Sequence, residues 1–155
     1  MTATFAELDS ATCSIARATG LLGDRWSILV VRDVLNGVRR FDALADHLGV
    51  SRDVLRRRLA ALVDTGVLER VEYREDGQRP RAEYRLTDAG LELVPVLVAF
   101  LDWGDRHLGG ADGPPAVVRH DCGAPVRARL VCAGGHVVED ARATRLEPGP
   151  GARRR

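Results

Sequence analysis

The chain has 155 residues with 23 basic and 22 acidic side chains, and a net charge of +1 excludes a histone-like polycation. Every basic residue is arginine, so the P-loop and the Schiff-base or pyridoxal chemistries, which need a lysine, are excluded as well. With 45% hydrophobic and 29% charged residues the composition is that of a soluble globular protein, expected as one compact domain with an appendage. The longest apolar run, Val94 to Leu101, is far shorter than the roughly 20 residues of a membrane helix. Glu7 and Asp9 stand where a signal peptide would be positive, so the expectation is a cytoplasmic protein with no membrane partner. The odd set of Cys13, Cys122 and Cys132 argues against a disulfide framework and for free, redox-responsive or metal-bound thiols.

In chain order, Ser14 to Leu22 has helical apolar spacing and is closed by Gly23. Asp24 then starts a second helix, Arg25 to Leu35, with Trp26, Leu29, Val30 and Val34 on one face and Asn36-Gly37 as its stop. A short third helix carries Phe41, Leu44, Ala45 and Leu48 and ends at Gly49. The fourth begins at the N-cap Ser51, buries Leu55, Leu59 and Leu62, and ends at Gly66, where a left-handed glycine is expected. The period then changes to two. Val67 to Tyr73 and Ala82 to Leu86 predict a hairpin with a polar tip around Asp76-Gly77, and Pro80 is unfit for a central strand. Thr87 caps a last helix, Asp88 to about Leu108, which Pro95 kinks or splits. Its Leu91, Val94, Leu97, Val98, Leu101 and Trp103 offer more apolar surface than one small domain uses. Glycine and proline at 109–115 mark a linker, dividing a domain at 1–109 from a C-terminal extension at 110–155.

Three helices, the last two tightly joined, followed by a hairpin, have the order of a winged helix-turn-helix. A recognition helix must present donors on the side opposite its apolar stripe. At 100° per residue Arg57 and Asp53 point away from the leucines, with Arg56 and Arg58 on the flanks. Residues 51–63 hold Arg52, Arg56, Arg57 and Arg58 against Asp53 alone, and such crowding on a merely solvated face costs self-repulsion unless an anion meets it. Arg74, Arg79 and Arg81 surround the hairpin tip, and Arg39 and Arg40 precede the third helix. The predicted DNA-binding set is therefore Arg39, Arg40, Ser51, Arg52, Asp53, Arg56, Arg57, Arg74, Arg79 and Arg81, with double-stranded DNA as partner. Arginine suits the task because its planar fork reads guanine and clamps phosphate bidentately.

The runs Cys13-Ser14-Ile15, Gly23-Asp24-Arg25-Trp26-Ser27-Ile28-Leu29, Arg39-Arg40-Phe41, Ser51 to Leu59, Gly66-Val67-Leu68 and Tyr84-Arg85-Leu86-Thr87-Asp88-Ala89-Gly90 resemble the HxlR-type transcriptional regulators, relatives of the MarR group. The resemblance spans about residues 13 to 108. It implies a homodimer joined through the N- and C-terminal helices and a roughly palindromic operator, and the surplus apolar face of the last helix is what such a dimer would bury. The expected fold is mainly α with a small β-hairpin, a winged helix-turn-helix with dimerisation helices and a short C-terminal extension.

Cys13 starts the first helix, where the family often carries a cysteine that senses oxidants or electrophiles in some members. A helix N-terminus favours an anion and so permits a reactive thiol, although a free cysteine there is equally suited to be a small buried hydrophobe. In the extension, residues 117–123 and 126–132 are candidates for two strands, and His120, Cys122, Cys132 and His136 are four potential zinc ligands at irregular spacing. Tails of this sort in some relatives end in a Cys-x-x-Cys pair, from which Cys132-Ala133-Gly134-Gly135 departs. No other cofactor is expected, and a small-molecule or oxidant effector is compatible with the reading. Glu147 to Arg155 is expected to be a disordered tail adding non-specific affinity for DNA. The rival readings are a winged-helix protein-interaction module without DNA and, more remotely, an enzyme with Cys13 as nucleophile, for which no paired base or oxyanion motif is visible.

Overall fold

The structure is a computed structural model and describes residues 5–73 and 81–154. It divides into two compact units, one formed by Cys13–Val94 and the other by the N-terminal segment together with Pro95–Arg155. The boundary therefore falls at Pro95, whereas the sequence suggested Gly109.

The first unit follows the predicted order closely because its helix ends are set by local chemistry. Helix α1 is Ser14–Leu22 and α2 is Arg25–Leu35, whose N-cap Asp24 accepts hydrogen bonds from the Trp26 and Ser27 amides. Helix α3 is Phe41–Leu48 and ends on Gly49 at φ 61°. Helix α4 is Arg52–Asp64, capped by the Ser51 hydroxyl, and Gly66 follows it at φ 73°. Both glycines occupy the left-handed region that an L side chain adopts at a cost. The core lies among α2, α3, α4 and the start of the hairpin. Val30, Val31, Val34, Leu44, Leu55, Leu59, Leu62 and Leu68 are almost completely buried.

Strand β1, Leu68–Tyr73, pairs antiparallel with β2, Arg81–Leu86, in a register that sets Leu68 opposite Leu86 and Tyr73 opposite Arg81. The hairpin has an additional partner that periodicity did not predict. Tyr84 donates its amide to the Arg39 carbonyl at 2.9 Å and Arg40 bridges to Glu83, so the segment before α3 lies along the free edge of β2. Two residues are too few to show a period of two, which is why the sequence was silent.

Thr87 caps α5, Asp88–Leu91, by accepting from the Gly90 amide at 3.1 Å. Gly90 is buried, and a Cβ there would collide with the Val67 carbonyl oxygen and lie 2.9 Å from Leu86 Cδ2. Gly90→Ala raises intrinsic helix propensity by up to about 1 kcal/mol, yet the collision reverses the sign. Thermal unfolding is expected to show a net loss of about 1–3 kcal/mol, the usual cost of overpacking; an unchanged or raised Tm would contradict the close approach.

In the second unit, Pro95 splits the last predicted helix, and α6 runs Val94–His107 with the proline in its first turn, where no intrahelical N–H is lost. The Asp102 carboxylate of α6 is almost buried, accepts the Ala128 amide at 2.8 Å and lies 3.5 Å from Arg127. This anchor is the reason α6 groups with the extension. The two expected strands are replaced by two small hairpin turns. His120 donates its amide to the Ala124 carbonyl and Gly123 to the His120 carbonyl, and the same pair of bonds recurs 12 residues later between Cys132 and His136 and between Gly135 and Cys132. Gly123 at φ 84° and Gly135 at φ 80° make both turns possible. Residues 147–154 contain no helix or strand, but Leu8 bridges to Arg154 and the Asp9 amide donates to the Arg153 carbonyl at 2.8 Å, in contrast to the disordered tail expected. Among the described residues, no helix is long and apolar enough to cross a membrane.

Candidate nucleic-acid interface

Helix α4 presents two faces. Leu55, Leu59 and Leu62 are fully buried, while Arg52, Asp53, Arg56, Arg57 and Ala60 are exposed on the other side. The leucine stripe fixes the rotation of the helix, and the charge is then carried outward by the 3.6-residue period.

The arginines are not equivalent. Arg52 pairs with Asp42 at 2.7 Å and its guanidinium lies over the Phe41 ring at 4.8 Å, which ties the start of α4 to the start of α3. Arg56 pairs with Asp53 at 2.7 Å within the first turns of α4. Both pairs are exposed and contribute little to stability, so a phosphate can displace either carboxylate at small cost. Arg57, Arg39 and Arg81 are exposed and have no side-chain partner among the described residues. Arg40 lies over the Tyr73 ring at 5.2 Å, which places it beside the last described residue of β1, next to the Tyr73–Arg81 pair. Arg74 and Arg79 lie outside the described residues.

Arg58 behaves differently from its neighbours. Its side chain is half-buried and Nε lies 3.2 Å from Asp24 Oδ1, the N-cap of α2. Burial of Asp24 pushes its pKa up, but hydrogen bonds from the Ser27 hydroxyl and from the Ser27 and Trp26 amides, with the Arg58 charge, outweigh it and hold the carboxyl below the usual aspartate range. A depressed carboxyl stabilises the fold above its unfolded pKa, and that contribution disappears as pH falls through the lowered value.

A buried carboxylate, Asp33, supports the helix-turn-helix. Asp33 of α2 is inaccessible and pairs with His47 Nδ1 of α3 at 2.7 Å and with Arg32 at 2.6 Å. Periodicity gave no sign of this link, since an aspartate on the inner side of a helix looks like a break in the apolar pattern.

Cys13 is half-buried at the N-cap of α1, and its side chain makes no capping hydrogen bond. The four candidate zinc ligands are brought together only as pairs, one in each hairpin turn. Cys132 Sγ lies 3.5 Å from His136 Nδ1, whereas His120 Nδ1 accepts the Cys122 amide at 3.2 Å, a bond that occupies that nitrogen's lone pair. Among the described residues no three His, Cys, Asp or Glu side chains are placed to hold one metal ion, so the tetrahedral set imagined from the sequence is not assembled.

The HxlR-like helix-turn-helix family profile matches residues 21–112. The chain belongs to the HxlR-like family. It is 44% identical over 141 residues to an uncharacterized HTH-type transcriptional regulator of Mycobacterium tuberculosis, covering 89% of this chain and 87% of the relative. A further HTH-type regulator, of Synechocystis, is 43% identical over 97 residues, covering 62% of this chain and 70% of that relative. Among solved structures, PA1607, described as a candidate transcription factor, matches with a TM-score of 0.75 and 34% identity over 90% of this chain and 96% of its own. PA1374 from Pseudomonas aeruginosa, likewise described as a candidate transcription factor, matches with a TM-score of 0.59 and 37% identity over 89% of this chain and 93% of its own. HxlR-like proteins are DNA-binding transcriptional regulators, and the winged helix-turn-helix described above is the fold of these relatives. Both solved relatives are matched over nearly their whole length, so the extension beyond α6 is shared with them and is not an addition peculiar to this chain.

Proposed function

We propose that the protein is a homodimeric, sequence-specific transcriptional regulator that binds a roughly palindromic operator, with α4 in the major groove. The observation that carries this reading is the face of α4, where Arg56 and Arg57 are exposed while three leucines of the same helix are buried; Arg39 and Arg81 are exposed as well. On this reading Ser51, Arg52, Asp53, Arg56 and Arg57 meet the groove, while Arg39, Arg40 and Arg81, with Arg74 and Arg79 of the wing tip, meet phosphates or an adjacent minor groove. Asp53 is suited to accept from a cytosine amino group or to hold Arg56 for guanine.

Selection of duplexes from a random-sequence library tests the proposal. The wild-type protein is expected to enrich one roughly palindromic sequence and to bind it with an affinity that falls steeply with salt, by about 0.9 in logarithmic slope for each phosphate neutralised. Enrichment of nothing, with salt-insensitive capture of a protein partner instead, would favour the interaction-module reading.

Cys13 supports regulation by an oxidant or electrophile as an additional feature of this reading. It is a free thiol at a helix N-terminus, and its sulfur is not engaged in capping. Peroxide or diamide is expected to change the affinity of the wild-type protein for the selected duplex by several-fold and to leave Cys13→Ser unaffected. Equal responses of the two proteins would retire the sensor and leave Cys13 as a packing residue.

A further inference from the structure

We propose that Arg58 is a positioning residue and not a DNA contact: it clamps α4 to the Asp24 carboxylate that caps α2 and thereby sets how Arg56 and Arg57 are presented to DNA. The proposal rests on the DNA-binding reading above and assigns, within that site, a role to the arginine that sequence counting placed with its neighbours.

Three observations carry it. The Arg58 side chain is 38% exposed, against 63% for Arg52 and 66% for Arg56, so the last arginine of the run is turned toward the protein. Its Nε is buried and makes no hydrogen bond among the described residues, although Asp24 Oδ1 is only 3.2 Å away. The attraction is therefore one of charge, and Nε has no water to return to while the pair holds. Finally, the Asp24 carboxylate is already fixed by the Trp26 and Ser27 amides and the Ser27 hydroxyl, so it is a rigid partner attached to the first turn of α2. Arg52 and Arg56 pair with exposed carboxylates and can exchange them for phosphate. For Arg58 to do the same it would have to leave a partly buried Asp24 without its cation, which costs more than an exposed exchange.

The consequence is geometric. The leucines fix the rotation of α4 about its axis, but its tilt depends on packing at its flanks, and Arg58 supplies one such link to a different element. A small change of tilt moves the base-reading side chains out of register with the groove while leaving phosphate attraction intact.

Two substitutions separate this role from direct contact. Asp24→Asn keeps a good helix cap and removes the charge, and Arg58→Met keeps the apolar stem and removes the guanidinium. Binding is measured to the duplex selected by the wild-type protein and to a scrambled duplex of the same length, across a salt series, with thermal melts to confirm that each variant is folded. Both single variants are expected to lose about three- to tenfold in affinity for the selected duplex, with little change on the scrambled one and no change of salt slope, and the double variant is expected to be no worse than either. Direct contact gives the opposite signs. Arg58→Met would then reduce the slope by about 0.9 on both duplexes, and Asp24→Asn, by releasing the arginine, would tighten binding; either result overturns the proposal. Additive losses in the double variant overturn it as well. Failure of the wild-type protein to select any duplex is seen before a variant is made and counts against the operator reading itself, and the positioning role falls with it.

Discussion

Phe100→Glu with Trp103→Glu is expected to convert the proposed dimer into a monomer and to lower affinity for the selected duplex by about 100-fold or more. Val96, Phe100 and Trp103 recur at helical spacing on α6 and are 41%, 60% and 52% exposed, a row of large apolar side chains facing solvent in one copy of the chain. The sequence suggested a different row. Of the residues it named on the predicted last helix, Val98 is buried, Val94, Leu97 and Leu101 are half-covered, and Leu91 and Trp103 are exposed; the open row on α6 joins Trp103 to Val96 and Phe100, which it passed over. An exposed apolar row is suited to burial against a second copy, and Ile15 of α1 is exposed as well. A dimer holds two α4 helices on two half-sites, so the second binding event is intramolecular. Its loss forfeits an effective-concentration gain of about 10²–10⁴. Both side chains already face water, so the charges are not expected to lower the Tm of the monomer. Sedimentation and a salt-series binding assay check the two halves of the result. A protein that remains dimeric would show that α6 is not the interface, and a monomer with undiminished affinity would show that one α4 suffices.

Combined replacement of Arg39, Arg57 and Arg81 with alanine is expected to weaken binding to the selected and the scrambled duplex alike. These three have no side-chain partner among the described residues, so their charges are fully available to phosphate. Each phosphate no longer neutralised lowers the salt slope by about 0.9, and the affinity near physiological salt is expected to fall by about 10- to 100-fold. Arg56→Ala is expected to act differently, weakening the selected duplex far more than the scrambled one, because on the proposed reading a guanidinium held by Asp53 in the first turns of α4 reads a base. An unchanged slope in the triple variant would show that DNA, if bound, is met by another face.

The near-neutral total charge conceals segregation along the chain, with residues 1–38 carrying −1, 39–86 carrying +2, 87–109 carrying −3 and 110–155 carrying +3. The negative stretch coincides with α5 and α6, away from the proposed groove residues in sequence. That pattern, the helix-turn-helix order and the rotation of α4 were all legible without coordinates, because capping residues, stop glycines and the leucine period act within a few positions of one another. The extension was hardly legible. Its turns depend on two glycines and on the Asp102 anchor, neither of which leaves a periodic trace.

The residue order alone sets where α1 to α4 begin and end, which residues form the inner side of α4, and that the guanidinium of arginine, not a lysine ammonium, supplies the permanent positive charge of any phosphate contact, since no lysine is present. Tertiary structure decided which arginines are available. Asp24 reaches Arg58 only because α2 and α4 meet in the fold, so counting charge along α4 overstated by one arginine what faces outward, whereas Arg52 stays exposed while pairing with Asp42. It likewise decided which stripe of α6 stays open. Periodicity shows that a helix has distinct faces, but which of them is covered depends on packing against elements far away in the chain.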